Sequence, residues 1–397
     1  MTVPGGQGKP TAGITADRPK LGRVRTQDYP WAPGSATGIG SMPGTDPAEA
    51  MRVVAGELAD FPHLPELPDR GPGADLTGRA AGLLIDMPAE VTPRGWRLAE
   101  RPGRDLARAR SMLSADLDVL EEVLQGFRGP VKIQLCGPWT LAATMELPRT
   151  MNVALADPGA VSDLAASLAE GVAAHVAEVA KRLPGAQPVV QFDEPALPAV
   201  TAGLVPTASG LSRLAAVEAD TVQDRLSQVL ASAHGYTVVH CCATTVPFGM
   251  IGAAGADGLA FDLSRLRRGE EDALAGSAEA GMGLLTGAIP ALPGEADGSR
   301  GPSEASEASD TRGSRIRGAG RNGRRGDADA ARETAERVIR LWRRLGLPLA
   351  GCAAQAVITP ACGLAGASPA QARAALARCR EAAAVLPELI EETGGEP

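Results

Sequence analysis

Tyr236-Thr237-Val238-Val239-His240-Cys241-Cys242 is a short apolar run that ends in metal-capable side chains. It reads as a strand running out at its C-terminal edge, because Val- and Ile-rich runs of this length suit a strand covered on both faces. Side chains alternate along a strand, so His240 and Cys242 point one way and Cys241 the other. Working outward, comparable runs recur at Thr37–Met42, Gly82–Met87, Val131–Cys136, Pro188–Asp193, Gly258–Asp262, Gly283–Ile289 and Gln355–Pro360. Between them lie patterns with apolar residues three and four apart, as in Asp105–Phe127, Ala160–Arg182, Asp220–His234 and Pro369–Glu392, which predict amphipathic helices. Thr45 stands before one such helix, Asp46–Leu58, as an N-cap. Strands alternating with helices imply a parallel sheet. Eight repeats favour a single α/β (β/α)8 TIM barrel, spanning residues 30–392, over an open doubly wound sheet.

The remainder of the chain bounds the function. Of its 397 residues 44% are apolar and 22% charged, ordinary globular values that allow a large core. A net charge of -8 supplies no basic field for nucleic acid or an anionic membrane. No apolar stretch is long enough to span a bilayer and no secretion signal stands at the N-terminus. The six cysteines are sparse and show no framework spacing, which points to a reducing cytoplasm with thiols available for metal or catalysis. Residues 1–29 lack periodicity and read as a disordered tail. Residues 293–326, rich in Gly, Ser, Glu and Arg, read as a disordered insertion after the seventh strand, because they cannot bury enough apolar surface to offset their ordering entropy. Its arginines lack interleaved aromatics, so a solvated loop is favoured there over an RNA contact.

Four clusters sit where strands end, and in a parallel barrel all those ends meet on one face. His240 and Cys242 offer an imidazole and a thiolate to one metal, a pair that suits Zn²⁺. Cys362, in Thr359-Pro360-Ala361-Cys362-Gly363-Leu364, and Asp262, at the end of Gly258–Asp262, occupy equivalent places. A lone His-x-Cys is a weak sign, since free cysteines are commonly buried apolar groups; four metal-capable residues at strand ends are a stronger one. In Gln191-Phe192-Asp193-Glu194-Pro195-Ala196, one of two adjacent carboxylates faces the mouth, where it suits a ligand ammonium. The competing reading is a helix N-cap or turn. Gly38-Ile39-Gly40-Ser41-Met42-Pro43 is a small-residue loop whose N–H groups suit a carboxylate, although it fits neither phosphate-loop spacing. Leu135-Cys136-Gly137-Pro138-Trp139-Thr140 is again a strand end turning into a loop.

In this order the clusters resemble the catalytic domain of cobalamin-independent methionine synthases, in the core-only branch that lacks a second barrel. The resemblance runs over about residues 36–392, apart from the insertion. It implies a (β/α)8 barrel and a zinc-dependent methyl transfer to the thiol of homocysteine, giving methionine. It also implies zinc ligands at His240, Cys242, Asp262 and Cys362, with Asp262 standing where the family usually has Glu. Substrate contacts are implied at Ile39, Gly40, Ser41 and Asp193, with Asp193 also the catalytic carboxylate, and Asp86 is the expected amine-binding carboxylate of the second strand. Three family features are missing. Gly287–Leu292 holds no general-acid histidine, Thr144 or a neighbour stands where a folate-stacking aromatic is expected, and Ala199 replaces a folate-contacting Glu. The thiol half of the site therefore looks intact and the folate half altered, so the expected donor is a methylcorrinoid, free or protein-borne, or methyltetrahydrofolate. Alternatives are a corrinoid:thiol methyltransferase, a uroporphyrinogen decarboxylase relative, and a non-catalytic zinc-binding interaction protein.

Overall fold

The computed structural model describes residues 29–292 and 321–393. Residues 1–28 and 293–320, which hold most of the expected tail and insertion, lie outside the described residues. Nine strands are assigned among those described: β1 (Ser35–Ala36), β2 (Ala89–Thr92), β3 (Gly95–Leu98), β4 (Gly129–Cys136), β5 (Ala186–Asp193), β6 (Tyr236–Cys241), β7 (Gly258–Asp262), β8 (Gly283–Ile289) and β9 (Ala356–Pro360). Seven form one parallel sheet in the order β1-β9-β8-β7-β6-β5-β4, with helices outside it. β2 and β3 form a separate antiparallel hairpin. The curled sheet is that of a TIM-like barrel.

The eighth place in the ring is not where the sequence pattern put it. Gly82–Met87 is no strand: Leu76–Leu83 is helical, capped by Asp75, and the run then turns through Asp86 at φ 55°. The apolar residues 83–85 belong to the end of this helix and the turn after it, and a run so short carries no period to tell helix from strand. The ring is closed instead by the segment around residues 62–66. It makes isolated parallel bridges to β4 (His63 with Lys132) and to the chain beyond β1 (Ser41 with Glu66). Leu64 N–H donates to Lys132 O at 2.9 Å, Lys132 N–H to Pro62 O at 2.9 Å, Glu66 N–H to Gly40 O at 3.1 Å and Met42 N–H to Glu66 O at 2.8 Å. Pro62 and Pro65 have no N–H, which leaves the ladder sparse and hides the strand from a pattern search.

Two apolar clusters hold the fold. The larger fills the layer between sheet and helices. The smaller lies inside the barrel: Phe61, Val189, Val238, Ala260, Leu285 and Val357 form one inward layer, with Trp31 packed against it. Trp31 stacks on Tyr29 and Phe61 at centroid distances of 5.5 and 5.6 Å, meets Tyr236 edge-on at 5.0 Å, and donates its indole N–H to Ala354 O at 3.0 Å. Tyr29, expected within the tail, thus belongs to this plug. Two residues further along β5 and β6 from Val189 and Val238, the inward positions become polar, and two further still they are Asp193 on β5 and Cys242 just past β6. A layer of barrel core therefore supports a polar mouth. The helix after the insertion runs over Arg321–Arg344, so it takes in residues 321–326. Glu57 ties the first helix to the last through Arg373 (2.8 Å) and Arg380 (2.5 Å). Among the described residues no helix is long and apolar enough to cross a membrane.

Candidate active site at the barrel mouth

His240 is fixed by its second nitrogen. Its Nδ1 lies 2.7 Å from Asp193 Oδ1 on the neighbouring strand, and Nε2 is buried with no hydrogen-bond partner. Burial pulls the imidazole pKa down, but the Asp193 hydrogen bond and charge outweigh it and the net shift is upward. Cys242 follows β6 and Cys362 follows β9, and their Sγ atoms stand 3.2 Å apart. Ligand atoms of His240, Cys242 and Cys362 all lie within 4.8 Å of one another. The contact with Cys242 holds the Cys362 thiol down at about 6 despite burial, and the same contact pushes the Cys242 thiol up. Two close sulfurs beside an unpartnered imidazole nitrogen are the donor set that zinc accepts. The residues present fit that metal.

Asp262 does not join them. Its Oδ1 accepts from Ser264 N–H at 2.9 Å and Ser264 O–H at 2.6 Å, and its Oδ2 lies 3.1 Å from Arg265 Nε. The strand-end position is as expected, but a side chain this short is engaged by the turn that follows it.

The two adjacent carboxylates have separate surroundings. Asp193 lies on the inner face, where Gln191 Nε2 also donates to its Oδ1 at 2.7 Å. Glu194 turns away to the start of the helix Pro138–Thr144, accepting from Trp139 N–H (2.9 Å), Thr140 N–H (2.7 Å) and Thr140 O–H (2.7 Å). Burial pushes it up to about 7 in spite of these donors. Asp193 is thus the carboxylate that faces the mouth, while Glu194 serves the N-terminus of a helix distant in sequence and caps none of its own. The Gly137-Pro138-Trp139-Thr140 cluster is the partner of Glu194: a Cβ on Gly137 would stand 2.4 Å from its Oε1.

Asp86 is exposed on its turn, outside any strand. The acid on the segment that closes the ring is Glu66, buried and not anticipated from the sequence. Burial pushes its pKa up to about 7, with Arg79 and Lys132 opposing and Asp193 adding to the rise. Arg79 Nε sits 3.2 Å from it and continues to Asp116 at 2.7 Å, which also holds Arg70 at 2.7 Å. The signal was an isolated acid inside the apolar, proline-punctuated run Leu64-Pro65-Glu66-Leu67-Pro68.

The Ile39–Ser41 backbone is pinned carbonyl by carbonyl. Ile39 O accepts from Lys132 Nζ (2.7 Å) and Gln191 Nε2 (2.9 Å), Gly40 O from Glu66 N–H, and Ser41 O from Leu364 N–H (2.8 Å). A Cβ on Gly363 would meet Ser41 Oγ at 2.0 Å, so the loop that carries Cys362 and the Ile39–Ser41 loop are in direct contact.

A family model described as the catalytic domain of cobalamin-independent synthase matches residues 35–293, well over half of the chain. The chain belongs to this family. It is accordingly a methyltransferase-type barrel of the methionine synthase kind. Cys362 lies beyond the matched residues, yet the fold brings it to His240 and Cys242. Two solved structures share the fold. One is a B12-independent methionine synthase from Shewanella sp. W3-18-1 in complex with selenomethionine (TM-score 0.55, 13% identity, 91% of this chain and 100% of that one). The other is a methyltransferase from Methanosarcina mazei (TM-score 0.50, 14% identity, 92% and 95%). No curated protein sequence gives a significant match. Membership in a family named for working without cobalamin gives the expected corrinoid partner no support.

Proposed function

We propose that this protein methylates the thiol of homocysteine, with zinc held by His240, Cys242 and Cys362 and the amino-acid end of the substrate held by Asp193, Glu66 and the Ile39–Ser41 backbone. The observation that carries the reading is the clustering of an unpartnered imidazole nitrogen and two close sulfurs at the barrel mouth, beside a carboxylate on the adjacent strand. Asp262 is the proposed fourth ligand only if it leaves Ser264 and Arg265. Asp86 has no part in this reading, and Glu66 takes the place that it was expected to fill.

The chain's own groups account for most of the work. Asp193 orients His240 through Nδ1, leaving Nε2 free to ligate. Zinc brings to such a donor set the ability to lower a thiol pKa to near neutrality. Asp193 and Glu66 suit the substrate ammonium, and the N–H groups of the small-residue loop suit its carboxylate. The sulfur then attacks the donor methyl carbon in line: an S–C bond forms, the bond from methyl to donor breaks, and its electron pair leaves with the donor. The thiol proton passes to solvent or to the departing donor, and no histidine of Gly287–Leu292 is there to carry it. Positioning supplies much of the gain.

The test is a homocysteine methylation assay on zinc-loaded protein, with methyltetrahydrofolate and methylcobalamin supplied as donors in parallel. Metal content is measured on the same samples. Cys242→Ser and Cys362→Ser are expected to lose zinc and activity together. Full activity in a zinc-free double variant would refute the reading.

A further inference from the structure

Deep in the barrel, under the mouth, lies a buried cation that no step above uses. Lys132 on β4 is 0% exposed. Its Nζ donates to Ile39 O at 2.7 Å and to Gln134 Oε1 at 3.0 Å. Gln134 in turn donates to Leu64 O at 2.5 Å, on the segment that closes the ring. A Cβ on Gly40 would sit 2.7 Å from Gln134 Cγ, so Gln134 packs flush against the Ile39–Ser41 backbone. Gln191 shares the Ile39 carbonyl with Lys132 and reaches on to Asp193. One ammonium thus ties together the chain beyond β1, the ring-closing segment and β4, and shares an acceptor with the side chain that steadies Asp193.

Burying an ammonium costs several kcal/mol, and a methionine of similar length would fill the same volume without that cost. Burial pulls the Lys132 pKa down, Asp193 and Glu66 oppose it, and the net lies at about 7. The cost of burial is offset at just the two carboxylates assigned to the substrate ammonium. The peptide group adds a directional consequence. It is planar and trans, so holding Ile39 O toward Lys132 turns the Gly40 N–H the opposite way, away from the cation.

We propose that Lys132 is a positioning residue for the amino-acid end of the substrate, setting the Ile39–Gly40 peptide and, with Gln191, the Asp193 carboxylate. This assignment rests on the homocysteine reading above. It makes Lys132 a determinant of which thiols are accepted: those with an α-amino acid end feel it, and simple alkanethiols do not.

The test compares homocysteine with 1-propanethiol on zinc-loaded wild type, Lys132→Met and Lys132→Gln, by calorimetric binding and by methyl-acceptor kinetics, with zinc content measured throughout. Lys132→Met is expected to weaken homocysteine binding at least tenfold, with KM rising more than kcat falls. Zinc content and 1-propanethiol binding should stay within about twofold of wild type. Lys132→Gln, which keeps an N–H donor for Ile39 O, is expected to recover part of the loss, and it serves as the reporter should the methionine variant fail to fold. Homocysteine binding within twofold of wild type in folded Lys132→Met overturns the assignment, as does an equal loss for both thiols. Should only Lys132→Gln fold, binding within twofold in it overturns the assignment as well. A wild type with no preference for homocysteine over 1-propanethiol fails the functional reading itself. A wild type with that preference, retained in Lys132→Met, fails only the role of Lys132.

Discussion

Asp193→Asn isolates the charge of a carboxylate from its geometry. In the wild type, Oδ1 takes hydrogen bonds from His240 Nδ1 and Gln191 Nε2, both at 2.7 Å. An asparagine oxygen in the same place accepts both, so the imidazole keeps its orientation and only the charge is lost. Hydrogen bonds to an ionised group are roughly twice as strong as neutral ones, so the change costs about 1 kcal/mol at each of the two donors. Carboxylates behind a ligating histidine contribute about 10- to 100-fold in metal affinity, or about 1.4–2.7 kcal/mol, and the two figures agree. On the proposed reading the substrate ammonium also loses its charged partner, a further loss of about 1.5–3 kcal/mol. Zinc affinity is therefore expected to fall about 10- to 100-fold in competition with a chromogenic chelator. At saturating zinc the homocysteine KM should rise by a similar factor. Asp193→Ala adds two orphaned buried donors, each costing about 1–3 kcal/mol, and its deficit should appear in thermal stability as well. A folded Asp193→Asn protein with wild-type zinc affinity would remove Asp193 from the support of His240. An unchanged KM would remove it from the substrate.

Other outcomes follow from neighbouring features. Asp262→Ala should cost less zinc affinity than Cys362→Ser, because both Asp262 oxygens are already engaged by Ser264 and Arg265; equal losses in the chelator titration would make Asp262 a full ligand. Trp31→Ala should destabilise the fold by about 3–5 kcal/mol in urea unfolding while leaving zinc stoichiometry intact, and a loss under about 1 kcal/mol would deny the plug its role. His175 is buried and held at about 4, below its ordinary 6.5, chiefly by burial and then by Arg79. The unfolded chain therefore binds a proton there that the native state refuses, so stability is full above about 6.5 and falls as pH drops toward 4. About 2 kcal/mol should be lost from this group between pH 7 and pH 5. His175→Gln should lack that share of the slope, and parallel stability profiles would refute it.

Where the sequence was legible, continuous burial made it so. Tyr236–Cys241, Gly258–Asp262 and Gly283–Ile289 appear as strands with the expected ends, since strands covered on both faces must be apolar throughout. The strand-end rule likewise carried His240, Cys242 and Cys362 to one place across 122 residues of chain. It failed where local chemistry intervenes. Two prolines disguised the segment around residues 62–66, and with it the buried Glu66, while the expected acid Asp86 lies exposed on a turn. Alternation could not decide between Asp193 and Glu194, because the chain leaves the strand between them. Asp262 obeys the rule in position, yet its oxygens are taken by the next turn. Lys132 gave no outward sign at all: a lysine in an apolar strand reads as an edge residue until its partners are seen.

The pairing of β1 with β9 has a consequence for how the protein is made. Ser35 lies opposite Val357, and Ser41 O accepts from Leu364 N–H. The earliest ring strand thus has as its neighbour the latest, and the Ile39–Ser41 loop rests on the loop that carries Cys362. A growing chain holds His240 and Cys242 long before either Cys362 or the last wall of the ring exists. On the proposed reading, metal capture and substrate pocket are completed in the same late event, when the final strand slots in. Partly synthesised or clipped chains would lack both at once, giving the cell unfinished copies that are idle rather than half-active.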